Sequence, residues 1–300
     1  MPDRPLRRAA LAVLTFVLLL GAGVTAVVAF LQARPVPASL TCVAVLPDGD
    51  RHLLDAGQSD NAALIAAVAG QRGLPARAVT IALATALQES KLENIDHGDR
   101  DSVGLFQQRP SQGWGTVEQI LDPVYATGAF YDALVAVEGY EDLEITVAAQ
   151  AVQRSAFPEA YARHEARARA FASALSGHSP AALTCDLDPL PEPAPGLAEA
   201  VAARLTRDWG AAPVADGRAG DGSTAGDGGT AGGVVVDASA MLPGIPADTA
   251  AWSVGQWAVA TASVTGVSAV VVGDLAWERG TEGWNPAGDS AQPAGLVRVG

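Results

Sequence analysis

From Pro75 to about Leu92 the chain reads as an amphipathic helix, because Val79, Ala82, Leu83 and Ala86 recur at the i, i+3, i+4, i+7 spacing of one helical face. The next positions on that face are Glu89 and Ser90, so a carboxylate stands where the apolar stripe should continue. Upstream, Ser59 or Asp60 can cap a helix running to about Gly70, with Gly73 and Pro75 separating the two. Downstream, 93–113 is rich in Asn, Asp, Gly and Pro and reads as a loop. Further helical patterns follow over 116–121, 124–138, 144–155 and 158–176. Leu197–Trp209 and Thr249–Val264 read as two more helices, 267–273 as a strand, and the segment around Trp277 and Trp284 as a loop before the β-rich GLVRV.

These patterns predict a mainly α domain followed by a small α/β domain. The N-terminus adds a topological signal. Ala9–Leu31 carries no charge and, at the helical rise, spans about 35 Å, enough to cross a hydrocarbon core. Arg4, Arg7 and Arg8 precede it, which by the positive-inside rule leaves 1–8 cytoplasmic and the remainder exported. A cleaved signal peptide has the same order of charged and apolar regions, but the length of the run favours an uncleaved, single-pass membrane anchor. The expected map is therefore a tail at 1–8, an anchor at 9–31, a Pro-rich stalk at 32–58, the α domain at 59–186, a linker at 187–233 and the α/β domain at 234–300. The linker combines the Pro-rich LDPLPEPAPG with a Gly/Ala/Asp tract lacking apolar periodicity, and is expected to separate two independently folding units.

Composition narrows the partners. The formal charge is −14, with a pI near 4.6, which argues against a nucleic-acid partner held by clustered Lys and Arg. The two cysteines, Cys42 and Cys185, both fall in the exported portion within the repeated context Leu-Thr-Cys. In an oxidising compartment they predict a disulfide, with two buried free thiols as the alternative.

The candidate chemistry centres on Glu89. A carboxyl group at a helix C-terminus faces the negative pole of the macrodipole, and apolar neighbours add a desolvation cost, so both effects favour the protonated acid. A general acid at neutral pH must be in that state. After Glu89-Ser90 come Gly104-Leu105-Phe106-Gln107 and Pro110, then Asp122-Pro123 and Gly128-Ala129-Phe130-Tyr131. In these motifs, with the Glu89-to-Gly104 offset at the family's value and the later landmarks at slightly shorter spacing, the chain resembles the lytic transglycosylase and goose-type lysozyme families over about residues 60–176. The resemblance implies a lysozyme-like α fold and peptidoglycan strands as the substrate. It also implies Glu89 as the catalytic acid and base, with Ser90, Gly104, Leu105, Phe106, Gln107 and Tyr131 forming the sugar site, and neither cofactor nor metal. The implied mechanism uses one carboxyl group twice, in contrast to two-carboxylate glycosidases.

Two features depart from that pattern. Family members carry Ala-Tyr-Asn-Ala-Gly on a later helix, whereas this chain has VAAQAVQRSAFPEAY, so Gln150 or Gln153 would replace the amide and Tyr161 would supply the phenol. Asp99 and Asp101 keep a hydrolytic alternative open, as groups that would activate water, although loop aspartates are more often turn-formers. A metal site in DHGDRD (96–101) lacks the later bidentate Glu of a calcium loop and a second nearby His. The C-terminal segment is similar to a small domain found at the tails of actinobacterial wall hydrolases, with Trp277 and Trp284 as candidates for sugar stacking. The rival to an enzyme is a catalytically silent wall-binding or scaffolding membrane protein.

Overall fold

The helical part begins at Asp55, whose side chain accepts from Gln58 N at 2.8 Å while Gln58 Oε1 accepts from Asp55 N at 3.0 Å. This capping box starts α1, Ala56–Gln71. Every position from Ala62 to Ala69 of α1 is buried, so the helix lies inside the fold instead of presenting one face to it. Small alanine side chains let its neighbours pack close around it. The structure is a computed structural model and describes residues 40–155, 158–192, 194–216 and 233–300. The predicted tail, the anchor at 9–31, the first part of the stalk and residues 217–232 of the linker lie outside the described residues. Among the described residues no helix is long and apolar enough to cross a membrane.

Six further helices of the described residues complete the helical part. They are α2 (Ala76–Glu89), α3 (Val117–Leu121), α4 (Pro123–Val135), α5 (Ile145–Gln153), α6 (Glu165–Leu175) and α7 (Leu197–Trp209). Among them α2, α4, α6 and α7 pack on α1. The segment predicted as one helix over 158–176 is a 3-10 turn, Pro158–His164, that leads into α6. Helix α2 packs against α1, α5 and α6. Residues 41–55, expected to belong to an irregular stalk, instead form a hairpin of β1 (Thr41–Val45) and β2 (Arg51–Asp55) around Pro-Asp-Gly, with Gly49 at positive φ. Strand β1 also pairs antiparallel with β3 (Leu183–Asp186), with Cys42 directly opposite Cys185. The two cysteines are joined by a disulfide, spanning 143 residues of sequence and closing the helical part between them.

The C-terminal part is a small antiparallel sheet domain. Its strands are β4 (Val214–Asp216), β5 (Val234–Asp237), β6 (Ala269–Val272), β7 (Leu275–Glu278), β8 (Trp284–Pro286) and β9 (Leu296–Val299), in the order β4-β5-β9-β6-β7-β8. A short helix α8 (Ala238–Met241) and the long α9 (Ala247–Thr265) complete it. Trp277 and Trp284, expected in a loop, lie on β7 and β8. Trp277 is fully buried, and the Trp284 indole donates to Leu183 O at 2.9 Å while packing edge-on against Trp252. Their rings are therefore used in packing.

The chain from Leu40 to Gly300 is one compact unit, and the predicted spacer does not leave two separate bodies. One face of α9 covers the sheet and another packs on α1 and α6. At Gly177, with φ 75°, an added Cβ would lie 1.9 Å from Thr249 O, so the backbones of the two parts touch where only glycine fits. Gln256, fully buried on α9, accepts from Leu183 N and donates to Ala174 O. A buried polar cluster adds to this seam. Arg204 on α7 pairs with Asp60 of α1 and with Asp208, which also accepts from the Trp257 indole of α9 at 3.0 Å.

Candidate active site

Glu89 is the last residue of α2. The chain turns sharply after it because Lys91 and Leu92 both take left-handed φ values, 59° and 62°. That conformation is costly for non-glycine residues, and three features hold it. Leu92 is fully buried, Gln58 donates to Lys91 O at 2.9 Å, and Asn61 donates to Leu92 O at 2.7 Å. Central helix α1 thus fixes the direction in which the chain leaves the glutamate.

The 104–107 turn returns to the same place. Ser90 is buried and its hydroxyl donates to Leu105 O at 2.7 Å. Gly104 has φ 80°, and a Cβ there would meet Ile120 O at 2.7 Å, so the position excludes every other residue. Leu105 and Phe106 are fully buried, and the Phe106 ring stacks on Phe130 at 4.5 Å. Their side chains therefore anchor the turn in the core, and what the turn offers outward is backbone and the half-buried Gln107. The Gln107 amide donates to His97 O and Gly104 O, both at 3.3 Å. Tyr131 lies in the interior, its hydroxyl donating to Ile65 O at 3.1 Å, and burial raises its pKa. It joins α4 to α1, apart from the Glu89 carboxyl.

The carboxyl of Glu89 is half-buried and receives two hydrogen bonds. The buried Tyr161, on the 3-10 turn, donates to Oε1 at 2.7 Å. Gln153, the last residue of α5, also hydrogen-bonds the carboxyl, and its Nε2 donates to Phe106 O at 2.8 Å. One amide side chain therefore touches both the glutamate and the 104–107 turn. Burial raises the pKa of Glu89, and the bonds from Tyr161 and Gln153 offset part of that rise. The negative end of α2 acts in the same direction as burial. Tyr161 has its own pKa raised, by burial first and then by Glu89, so its phenol remains a donor.

Of the two amides left open by the sequence, Gln153 reaches the carboxyl, while Gln150 donates to Ser155 O at 2.7 Å and supports the turn after α5. That turn has Arg154 at φ 51°. The loop aspartates are placed differently from Glu89. Asp101 accepts from Arg109 Nε at 2.7 Å and from Ser111 N at 2.8 Å, and these bonds hold it well below the usual carboxylate range. Asp99 is exposed beside Arg100. Asp101 therefore fastens the loop and stays ionised. Asp96 and His97 form an exposed pair, and among the described residues no group of three His, Cys, Asp or Glu side chains is placed to hold a metal ion.

Sequence reasoning passed over Gln88, Arg163 and His164. Arg163 Nη2 donates to Gln88 Oε1 at 2.7 Å, and Arg163 Nε donates to His164 Nε2 at 3.2 Å. These contacts fasten the 3-10 turn to the end of α2, one residue from Glu89. Gln88 falls beside the apolar stripe, and its position before the glutamate was the only sequence signal for it. The chain matches no protein-family model, and no curated protein is similar to it.

Proposed function

We propose that the chain is a membrane-anchored, extracytoplasmic protein that cleaves the glycan strands of peptidoglycan, in the manner of the lytic transglycosylases and goose-type lysozymes that its motifs resemble. The observation that carries this reading is the state of Glu89. It is a carboxyl group kept toward its protonated form by burial, with Tyr161 and Gln153 orienting it and a glycine-initiated turn bonded back beside it. In this mechanism Glu89 gives its proton to the oxygen bridging MurNAc and GlcNAc as that bond breaks. The substrate's 2-acetamido group stabilises the cationic carbon. Glu89, now a carboxylate, takes the proton of the C6 hydroxyl as that oxygen closes onto the same carbon, leaving a 1,6-anhydro end and a protonated Glu89. Asp101 is committed to Arg109 and Ser111 and is not called on.

A second reading, a silent wall-binding protein, is favoured by one observation, the absence of the Ala-Tyr-Asn-Ala-Gly element of the resembling families, in whose place this chain has VAAQAVQRSAFPEAY. Zymography on peptidoglycan gels with the full chain and with Glu89→Gln separates the two. A clearing zone that disappears in the variant supports the enzyme, and no clearing by the wild-type chain supports the silent protein.

A further inference from the structure

We propose that Arg163 forms a subsite for a carboxylate carried by the glycan strand, at the edge of the Glu89 site. The proposal rests on the glycan reading above and names the chemistry that would set its specificity. Arg163 projects from the same 3-10 turn as Tyr161, two residues on, and its guanidinium is held by two side chains. Nη2 donates to Gln88 Oε1 at 2.7 Å and Nε donates to His164 Nε2 at 3.2 Å. Both acceptors are uncharged when the imidazole is neutral, the state favoured by burial and by Arg163 and Arg167 beside it. The cation is thus positioned without being neutralised. Among the described residues no carboxylate lies within ion-pair distance of Arg163 or of Arg167.

In a chain of net charge −14, a guanidinium oriented by the residue preceding the reactive glutamate, with no carboxylate of the described residues paired to it, is a local departure from the overall field. A planar guanidinium with free donors is suited to a carboxylate. Arg163 forms no ion pair with Glu89 itself, and its bonds run to the side chains of Gln88 and His164. The group it serves therefore belongs to a neighbouring part of the strand, away from the bond being cut. Two sources on a peptidoglycan strand carry that chemistry, the lactyl carboxylate of a strand stripped of peptide and the carboxylates of the stem peptide.

The test uses the full chain carrying Glu89→Gln, so that ligands bind without turnover, at low salt. Three probes are titrated: chitotetraose, which is uncharged, a MurNAc-GlcNAc tetrasaccharide with free lactyl groups, and the same tetrasaccharide with stem peptides. The expected result is tighter binding of at least one charged probe over chitotetraose, by roughly fivefold, the scale of an exposed ion pair. Adding Arg163→Gln removes that preference and Arg163→Lys, which keeps a cation and a donor to Gln88, keeps part of it, the preference being read in each variant as the ratio of charged-probe to chitotetraose affinity. Whichever charged probe carries the preference identifies the source. A purely structural role for Arg163 would weaken all three probes together, and that result, or a preference that survives Arg163→Gln, overturns the proposal while leaving glycan cleavage standing. Failure to bind any of the three overturns this proposal and the glycan reading with it.

Discussion

Replacing Tyr161 with phenylalanine keeps a buried ring and removes one hydroxyl, the donor 2.7 Å from Glu89 Oε1. The cost depends on the charge of the acceptor. Against a protonated carboxyl, one hydrogen bond contributes about 1 kcal/mol net, and against a carboxylate about 2 kcal/mol. Burial raises the pKa of Glu89 in the folded state. The protonated acid's contribution to stability is therefore fully present below the pKa of an unfolded glutamate and is lost as pH rises through the folded one. Because the Tyr161 bond favours the carboxylate, its removal makes that loss larger. Urea unfolding of the wild type and Tyr161→Phe across pH 4 to 8 should give a difference near 1 kcal/mol at the acid end that grows to about 2 kcal/mol at the alkaline end. The alkaline limb of kcat/KM should move to higher pH in the variant, since Glu89 must be protonated to start the reaction. A stability difference independent of pH, or a limb that moves to lower pH, would refute the coupling between these two groups.

Other variants report on the rest of the framework. Glu89→Gln should gain stability relative to wild type as pH rises above the pKa of an unfolded glutamate, where keeping the buried Glu89 costs folding free energy, and lose that advantage near pH 4; urea midpoints at about pH 4 and pH 7 check this. Gly104→Ala should cost about 2 to 4 kcal/mol, from a left-handed alanine and a Cβ driven against Ile120 O, read as a lowered urea midpoint. Replacing Cys42 and Cys185 with serine should cost about 5 kcal/mol in the loop-closure account, measured by denaturant titration with and without reductant. Asp208→Ala removes one of the two carboxylates paired with the buried Arg204 and the acceptor of the Trp257 indole, leaving Asp60 in place, and should cost about 1 to 3 kcal/mol, seen as a lower Tm.

How far the structure was legible in the sequence varies by element, for physical reasons. Helix α7 coincides with its expected limits, because Gly196 and Gly210 bound it and both adopt left-handed conformations. Helix α2 stops at Glu89, short of its expected end near Leu92, because Lys91 and Leu92 take left-handed conformations that nothing in the local apolar pattern announces. The 41–55 hairpin was hidden by the prolines before it and by strands of five residues each, too short for alternation to stand out. Helices α1 and α9 are apolar nearly all round, so periodicity showed that they are buried without showing that they pack on each other. For that reason the sheet domain looked independent. At the site, Glu89 and the 104–107 turn could be named from local pattern. Gln153 and Tyr161 could only be held as options, because their convergence on one carboxyl depends on where α5 stops and how the following turn crosses α2. The roles of Leu105 and Phe106 were equally invisible, as nothing local distinguishes a side chain in the core from one in a cleft.

The most direct test of the central claim is mass spectrometry of purified peptidoglycan strands after incubation with the full chain and with Glu89→Gln. The account expects anhydro-muramyl ends from the wild type and a fall of at least about 10²-fold in their formation by the variant, the loss attributed to a general acid. Reducing ends in place of anhydro ends would contradict the single-carboxyl mechanism, and no new ends of either kind from the wild type would contradict glycan cleavage itself.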